Sequence, residues 1–257
     1  MEATAPVTTA RINRWLPYWA VFQSDLRQTL RSWVYRVWVL ASILAAGGYL
    51  LYRIGIYHEA AMVQSAADLL GDLLHWTVVG SITLIIALTG GSISSERGTM
   101  ADSVLSRGIS RYQYFMGKWH ARMLAVLSTF VAMVVIALVG SFFFLEGDLS
   151  LSGSLVALVT IVAMLAAVAT LGVTISAMAN STMLAITVLW ICLYGGGFAM
   201  YWLPARFLSP DRFLKGLPDI LRGSYEWTAH GHLITWSAVC AVIASVVGLI
   251  CFGRRDV

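Results

Sequence analysis

The chain has 257 residues, of which 59% are hydrophobic and only 12% are charged. Because a soluble globular domain carries about 25% charged residues, this composition excludes an ordinary water-soluble protein and indicates a large surface facing lipid. Ten tryptophans and ten tyrosines suit the two membrane–water interfaces, where amphipathic rings are favoured. The net charge of +4 is modest and gives no reason to expect a nucleic-acid partner.

Residues 1–36 form a polar N-terminal segment that contains one amphipathic helix. Large apolar side chains recur at three- and four-residue steps in it, at Trp15, Trp19, Phe22, Leu26, Leu30 and Trp33. Arg27 and Arg31 lie on the other face. The pattern predicts a helix in the cytoplasmic headgroup layer, with its arginines near anionic lipid. Such a helix is either a membrane anchor alone or an elbow helix that also contacts a cytoplasmic partner.

Six apolar segments are long enough to cross a bilayer, which takes roughly 20 helical residues. They are approximately Val37–Ile56, Leu73–Ile93, Met123–Leu145, Leu155–Met178, Met183–Leu203 and Leu233–Phe252. A tight hairpin around Asn180 and Ser181 joins the fourth span to the fifth. Residues 37–253 are therefore predicted to form one six-helix transmembrane domain, and the fold class is an all-α integral membrane protein.

The distribution of lysine and arginine predicts the orientation of the spans, since cytoplasmic segments are enriched in these residues. With the N-terminus inside, 12 of the 17 basic residues are cytoplasmic: Arg11, Arg14, Arg27, Arg31, Arg36, Arg97, Arg107, Arg111, Lys118, Arg122, Arg254 and Arg255. Both termini are then cytoplasmic, and residues 254–257 form a short tail.

The cytoplasmic loop over residues 94–111 carries helix signals of its own. Gly98 can end the preceding helix, and Thr99 followed by Asp102 has the form of a capping box. A short helix is therefore predicted to begin there, with a small apolar face made by Met100, Val104 and Leu105. The alternative is an ordinary polar loop with ordinary caps.

A second capping box, Ser110 with Gln113, is predicted to open the helix that becomes the third span. Lys118 and Arg122 lie on the first turns of that helix, which should therefore project into the cytoplasm before it enters lipid. Arg122 is expected to reach the interface by extending its side chain, as long basic residues do near helix ends.

The outer loop over residues 204–232 is too apolar to be a free loop. Pro204, Pro210 and Pro218 divide it into short pieces, which should fold back as one or two short helices in a re-entrant or interfacial position. His230 and His232 lie two residues apart in it, and an interfacial role is favoured over a metal site.

Small residues in the fourth and fifth predicted spans indicate close helix packing, within a subunit or across a dimer. They are Gly172, Ser176, Gly195, Gly196 and Gly197. No ionisable residue lies deep inside a predicted span, which argues against an ion-coupled carrier. No GxxxxGK[ST] phosphate loop is present in the sequence, so the chain is predicted to hydrolyse no ATP by itself.

The stretch from Ile93 to Lys118 resembles the E-x-G-T…L-L-S…I-S-R…G-K pattern of ABC-2-type transporter permeases, especially those of multicopper-enzyme maturation systems. The matching segments are Glu96-Arg97-Gly98-Thr99, Leu105-Ser106, Ile109-Ser110-Arg111 and Gly117-Lys118. Met100-Ala101-Asp102 and Arg107-Gly108 depart from the pattern, which puts in doubt the choice of ATPase rather than the presence of the short helix.

The resemblance implies a half-transporter in a prokaryotic plasma (inner) membrane. It would work as a homo- or heterodimer of permease subunits with separate P-loop ATPase subunits that hold ATP and magnesium, and a periplasmic accessory protein is compatible with it. The short cytoplasmic helix would be the coupling helix. Its polar contacts to the ATPase would come from Glu96, Arg97, Asp102 and Arg107, and its apolar anchor from Met100, Val104 and Leu105. The alternatives are a membrane scaffold or assembly factor and, less favoured, an ion-coupled carrier.

Overall fold

The computed structural model describes residues 15–60, 65–96, 109–144, 148–198 and 210–254. The predicted coupling helix, the first fourteen residues, the start of the outer loop at Pro204 and the end of the tail lie outside these ranges. The described residues form helices α1 (Leu16–Arg31), α2 (Trp33–Ala60), α3 (Ala66–Gly90), α4 (Arg111–Phe144), α5 (Leu151–Met178), α6 (Thr182–Trp190), α7 (Pro210–Lys215), α8 (Leu217–Leu221) and α9 (Trp227–Arg254).

No strand occurs in the described ranges, and the all-α prediction is confirmed for them. Four helical stretches are long and apolar enough to cross a membrane, as in a multi-pass membrane protein: Ala66–Glu96, Arg111–Phe142, Leu151–Met178 and Trp227–Arg254. They contain the second, fourth and sixth predicted spans and most of the third. The first predicted span lies within α2. The fifth overlaps α6 and its π-helical extension Ile191–Gly195, and its last residues lie outside the described ranges. Neither meets the same criteria over its described residues.

Local capping signals specify where two of the helices begin. Ser110 and Gln113 form the predicted capping box, because the backbone N–H of each donates to the side-chain oxygen of the other, both at 3.2 Å. Ser181 accepts the backbone N–H of Leu184 at 3.3 Å and so begins α6. Since α5 ends at Met178, the predicted tight hairpin is confirmed.

The main apolar core lies between α3, α4 and α5. Ile85, Phe130 and Ile161 are among its almost fully buried residues. Leu217 and Leu221 of α8 join the same core, so the segment that precedes α9 closes one end of the bundle. Helices α7 and α8 confirm that residues 204–232 contain short helices, although the last six of these residues belong to α9.

Two glycines allow the backbones of this bundle to approach closely. A Cβ atom at Gly153 would overlap the backbone carbonyl of Ile220, which brings α5 against α8. A Cβ atom at Gly117 would lie 2.9 Å from a methyl group of Val21, which brings α4 against α1. Small residues at such contacts are the usual means of tight helix packing in a bilayer.

Candidate functional site

The face of α1 that packs against α4 carries a carboxylate. Val21, Asp25 and Thr29, spaced four residues apart, are its buried residues. The Nη2 atom of Arg122 donates to Oδ1 of Asp25 at 3.1 Å. The Nε atom of Arg122 lies 3.0 Å from Oδ2 of Asp25 without the alignment of a hydrogen bond, so this second contact is an ion pair alone.

Lys118, one turn before Arg122 on α4, lies between two carboxylates. Its Nζ atom is 2.6 Å from Oε2 of Glu96 and 3.4 Å from Oδ1 of Asp25. It also donates to the backbone carbonyl of Ser92 at 2.7 Å, while the Tyr114 hydroxyl donates to Glu96 at 2.5 Å. Asp25, Glu96, Lys118 and Arg122 are called the ionic cluster below.

The ionic cluster is screened from solvent and electrically balanced. The side chains of Asp25, Lys118 and Arg122 are 3%, 4% and 10% exposed, and that of Glu96 is 18% exposed. Two carboxylates face two cations, so their formal charges cancel. Because desolvation of an unpaired ion costs on the order of several kcal/mol, each member depends on the others for its burial.

The ionic cluster connects three separate segments of the chain. Asp25 belongs to α1, Lys118 and Arg122 belong to α4, and Glu96 ends the short 3₁₀ turn Ser94–Glu96 that follows α3. This turn is itself fixed from α5, since Ser176 accepts the backbone N–H groups of residues 93 and 94 at 3.0 and 3.2 Å. The chain on both sides of residues 97–108 is therefore held against α1.

The residues predicted to contact an ATPase lie mostly outside the described ranges. These are Arg97, Gly98, Thr99, Met100, Asp102, Val104, Leu105 and Arg107. Glu96 is described, and its carboxylate is engaged inside the chain by Lys118 and Tyr114. In this structure Glu96 is therefore held by contacts within the chain, next to the undescribed residues 97–108.

The residues predicted to form the interfacial helix lie along α1 and its N-cap. Trp15 and Trp19 are 73% and 53% exposed, Phe22 is half-buried, and Arg27 and Arg31 are exposed. Exposed tryptophans and arginines suit the headgroup region of a membrane. The amphipathic pattern does not predict the face of α1 that packs against α4, because that pattern is defined by the large apolar residues and does not include Asp25.

The residues predicted to mediate helix packing separate into two groups. Gly172 is buried in α5, where an added Cβ would overlap the Thr89 hydroxyl of α3, and Ser176 fixes the turn after α3. A Cβ at Gly196 or Gly197 would meet no described atom within 4 Å, and one at Gly195 would meet only its own helix. Within the described part of the chain, these three glycines pack against no other helix.

Sequence reasoning missed the ionic cluster itself. Lys118 and Arg122 were expected on a projecting part of the helix, and Arg122 was expected to extend toward the interface. Both are instead buried and paired with Asp25. The available signal was two cations one helical turn apart, with no acidic residue beside them on α4, and a single acidic residue within the α1 sequence.

A second polar group lies at the N-terminal end of α3, away from the ionic cluster. It consists of Arg222, Asp148, Asp68 and Ser65 and is called the Arg222 cluster below. Arg222 at the end of α8 contacts Asp148 at 3.0 Å, Asp68 at 2.7 Å and the Ser65 hydroxyl at 2.9 Å. Partial burial acts to raise the pKa of Asp148, but hydrogen bonds from Ser65, Arg222 and the backbone N–H of Ala67 outweigh it and lower that pKa. The hydrogen bond to Asp148 in turn raises the pKa of Arg222.

The Arg222 cluster predicts an acid-dependent loss of stability. A carboxylate with a lowered pKa stabilises the fold above its unfolded pKa of about 3.9, and this contribution is lost as the pH falls through the folded pKa. We expect Asp148→Asn to lower the free energy of unfolding by about 1 kcal/mol at pH 6. The difference from the parent chain should shrink once the pH is below about 4. Chemical unfolding in detergent, followed by tryptophan fluorescence across a pH series, measures it, and a difference that stays constant down to low pH contradicts the assignment.

The placement of His230 and His232 in a loop is wrong, because both lie in the first turns of α9, which begins at Trp227. His230 is buried there. Its side chain packs against Phe213 and Tyr225, and its Nδ1 atom is 2.8 Å from the backbone carbonyl of Glu226. Within the described ranges, no group of three or more histidine, cysteine, aspartate or glutamate residues is arranged to hold a metal ion.

Comparison with known proteins does not assign this chain to a family. No protein-family model matches the sequence, and no curated protein is significantly similar to it.

Proposed function

We propose that this chain is the membrane-spanning subunit of an ABC-2-type transporter. It would couple ATP hydrolysis by a separate ATPase to export of a substrate or to another periplasmic process. The observation that carries the proposal is the position of Glu96. This residue opens the Glu96-Arg97-Gly98-Thr99 motif, and it is joined through Lys118 to both α4 and α1.

The proposed topology has six spans, with α2 and the α6 segment added to the four apolar stretches. Both termini lie in the cytoplasm of a prokaryote, and α1 lies at the inner surface of the plasma membrane. The exposed tryptophans of α1 and the excess of basic residues in the segments that would be cytoplasmic support this orientation.

The ionic cluster supports a route by which force on residues 97–108 reaches the membrane helices. A load on this segment acts directly on Glu96 at one end and on the first turns of α4 at the other. Lys118 passes the load on to Asp25, because the same ammonium group contacts both carboxylates. Buried charge pairs resist sliding, since separating them leaves uncompensated charges. The ATPase would thereby shift α1, α3 and α4 together.

In the proposed assembly two permease subunits meet two ATPase subunits. ATP and magnesium bind to the ATPases, and the apolar residues Met100, Val104 and Leu105 seat the coupling helix on them. The competing proposal is a membrane scaffold, which would use the same fold without a motor.

Affinity purification of the tagged chain from its native membrane in mild detergent tests the proposal. We expect mass spectrometry to find a P-loop ATPase with the parent chain and not with the double variant Met100→Asp, Val104→Asp. The matched pair of single variants is Val104→Asp and Ser106→Asp. Each adds one negative charge to the same segment, but residues two apart do not share a face of a helix, so Val104→Asp should lose the ATPase and Ser106→Asp should keep it.

If both variants retain the ATPase, the coupling-helix assignment is wrong. If no ATPase co-purifies with the parent chain while it remains monodisperse in detergent, the transporter proposal is wrong and the scaffold proposal is favoured.

A further inference from the structure

A groove of about 610 Å³ runs between α2 and α4, and it ends at an arginine. Its α2 wall includes Arg36, Val39, Leu40 and Ile43, and its α4 wall includes Thr129 and Ala132. The residues of the α2 wall are spaced three and four apart, so they lie along one face of the helix. The groove is therefore mostly apolar, with the hydroxyl groups of Ser128 and Thr129 on its α4 wall, and it is cationic at the end nearest α1. We propose that it binds one anionic phospholipid, with the phosphate at Arg36 and an acyl chain between the helices.

The charge around Arg36 supports an anionic occupant. No described residue forms an ion pair with Arg36, Arg27 or Arg31, and all three side chains are exposed. The single acidic residue of α1, Asp25, is already paired with Lys118 and Arg122 in the ionic cluster. The exposed charges at the junction of α1 and α2 are therefore all positive.

The position of Arg36 supports a lipid rather than a soluble anion. Trp33, one turn earlier, is 76% exposed, as expected of a residue at the headgroup level. Tyr35 hydrogen-bonds to Thr129 and holds the start of α2 against α4. An arginine at the edge of the hydrocarbon is stabilised by a phosphate, which accepts hydrogen bonds from two of its nitrogens. A phospholipid provides that phosphate together with an apolar chain for the groove.

A neighbouring groove between α2 and α3 provides an internal comparison. It has a volume of about 360 Å³ and is lined by residues such as Ala41, Ala45, Leu73 and Trp76, with no charged side chain among them. It can accept an acyl chain but offers no cation to a headgroup. Selectivity for an anionic lipid should therefore depend on the Arg36 side chain.

Native mass spectrometry of the full chain in detergent tests this proposal. The probes are palmitoyl-oleoyl phosphatidylglycerol and palmitoyl-oleoyl phosphatidylcholine, which share their acyl chains and differ in net charge. We expect one phosphatidylglycerol to bind more tightly than phosphatidylcholine. Arg36→Gln should reduce that affinity about fivefold, whereas Arg212→Gln, at an exposed arginine of α7, should leave it unchanged.

Filling the groove provides a second test that leaves the charge in place. Ala132→Trp occupies the α4 wall, and we expect it to weaken phosphatidylglycerol binding as strongly as Arg36→Gln does. Ile136→Trp, one turn further at a residue that is 71% exposed, adds a ring outside the groove and should have no effect. Equal binding of the two lipids overturns the proposal. So does selectivity that survives both Arg36→Gln and Ala132→Trp, or selectivity that is lost only with Arg27→Gln and Arg31→Gln.

Discussion

Replacing Asp25 with asparagine should destabilise the folded chain by about 3–5 kcal/mol, because Arg122 would stay buried without its carboxylate partner. Lys118 would keep its ion pair with Glu96 at 2.6 Å. The loss of stability would therefore arise mainly from Arg122, whose positive charge would be left buried without a partner. Equilibrium unfolding in mixed detergent micelles, followed by tryptophan fluorescence, measures the change. Asp211→Asn is the control, because the pair of Asp211 with Lys215 is exposed and should contribute less than about 1 kcal/mol.

A double variant separates the loss of the ion pair from the loss of packing. Asp25→Asn combined with Arg122→Met removes one negative and one positive charge and leaves the Lys118–Glu96 pair intact. We expect the double variant to be more stable than the sum of the two single losses predicts, with a coupling energy of about 1–3 kcal/mol. Additive losses would show that Asp25 and Arg122 do not stabilise each other.

Replacing Gly172 with alanine should cost about 1–3 kcal/mol through overpacking. Its Cβ would overlap the Thr89 hydroxyl and lie 2.8 Å from the Thr89 Cβ. Thr89 cannot turn away freely, because its hydroxyl donates to the carbonyl of Ile85 at 2.6 Å inside the same helix. Relief would require α3 and α5 to move apart, and the same unfolding measurement reports the cost.

The matched control for Gly172 is another helical glycine. Gly196→Ala places its Cβ where no described atom lies within 4 Å, and we expect no loss of stability. Adding Thr89→Ala to Gly172→Ala removes the overlapping hydroxyl and should recover part of the loss, since the close Cβ contact remains. Equal losses for Gly172→Ala and Gly196→Ala would mean that the contact between α3 and α5 is not tight.

The helices could be predicted from the sequence because their signals are local. A run of apolar residues of bilayer length has few alternatives to a helix, since every backbone amide must be satisfied within the chain. Side-chain caps add precise starting points, as with Ser110 and Gln113. The bounds of α2 and α4 extend beyond the predicted spans, because polar residues such as Arg111 continue the same helices outside the apolar core.

The sequence indicates that Lys118 and Arg122 need acidic partners, but it does not identify them, because those partners are distant in sequence. Asp25 and Arg122 are separated by 97 positions, and neither position by itself reveals the other. On α1 the tryptophans dominate the amphipathic pattern, so the shorter stripe of Val21, Asp25 and Thr29 is hard to recognise as the protein-facing side. The Arg222 cluster was missed for the same reason, since it joins residues from three separated segments.

The separation of Asp25 and Arg122 imposes an order on biogenesis. Helix α1 leaves the ribosome before α4, and its arginine partner follows 97 residues later, which at 5–20 residues per second is a delay of roughly 5 to 20 s. Until Lys118 and Arg122 are synthesised, Asp25 has no cation on α4 to pair with, and its burial in hydrocarbon would be costly. Docking of α1 therefore completes the assembly of this end of the bundle, and a nascent chain that inserted α4 incorrectly would leave Asp25 hydrated and α1 undocked.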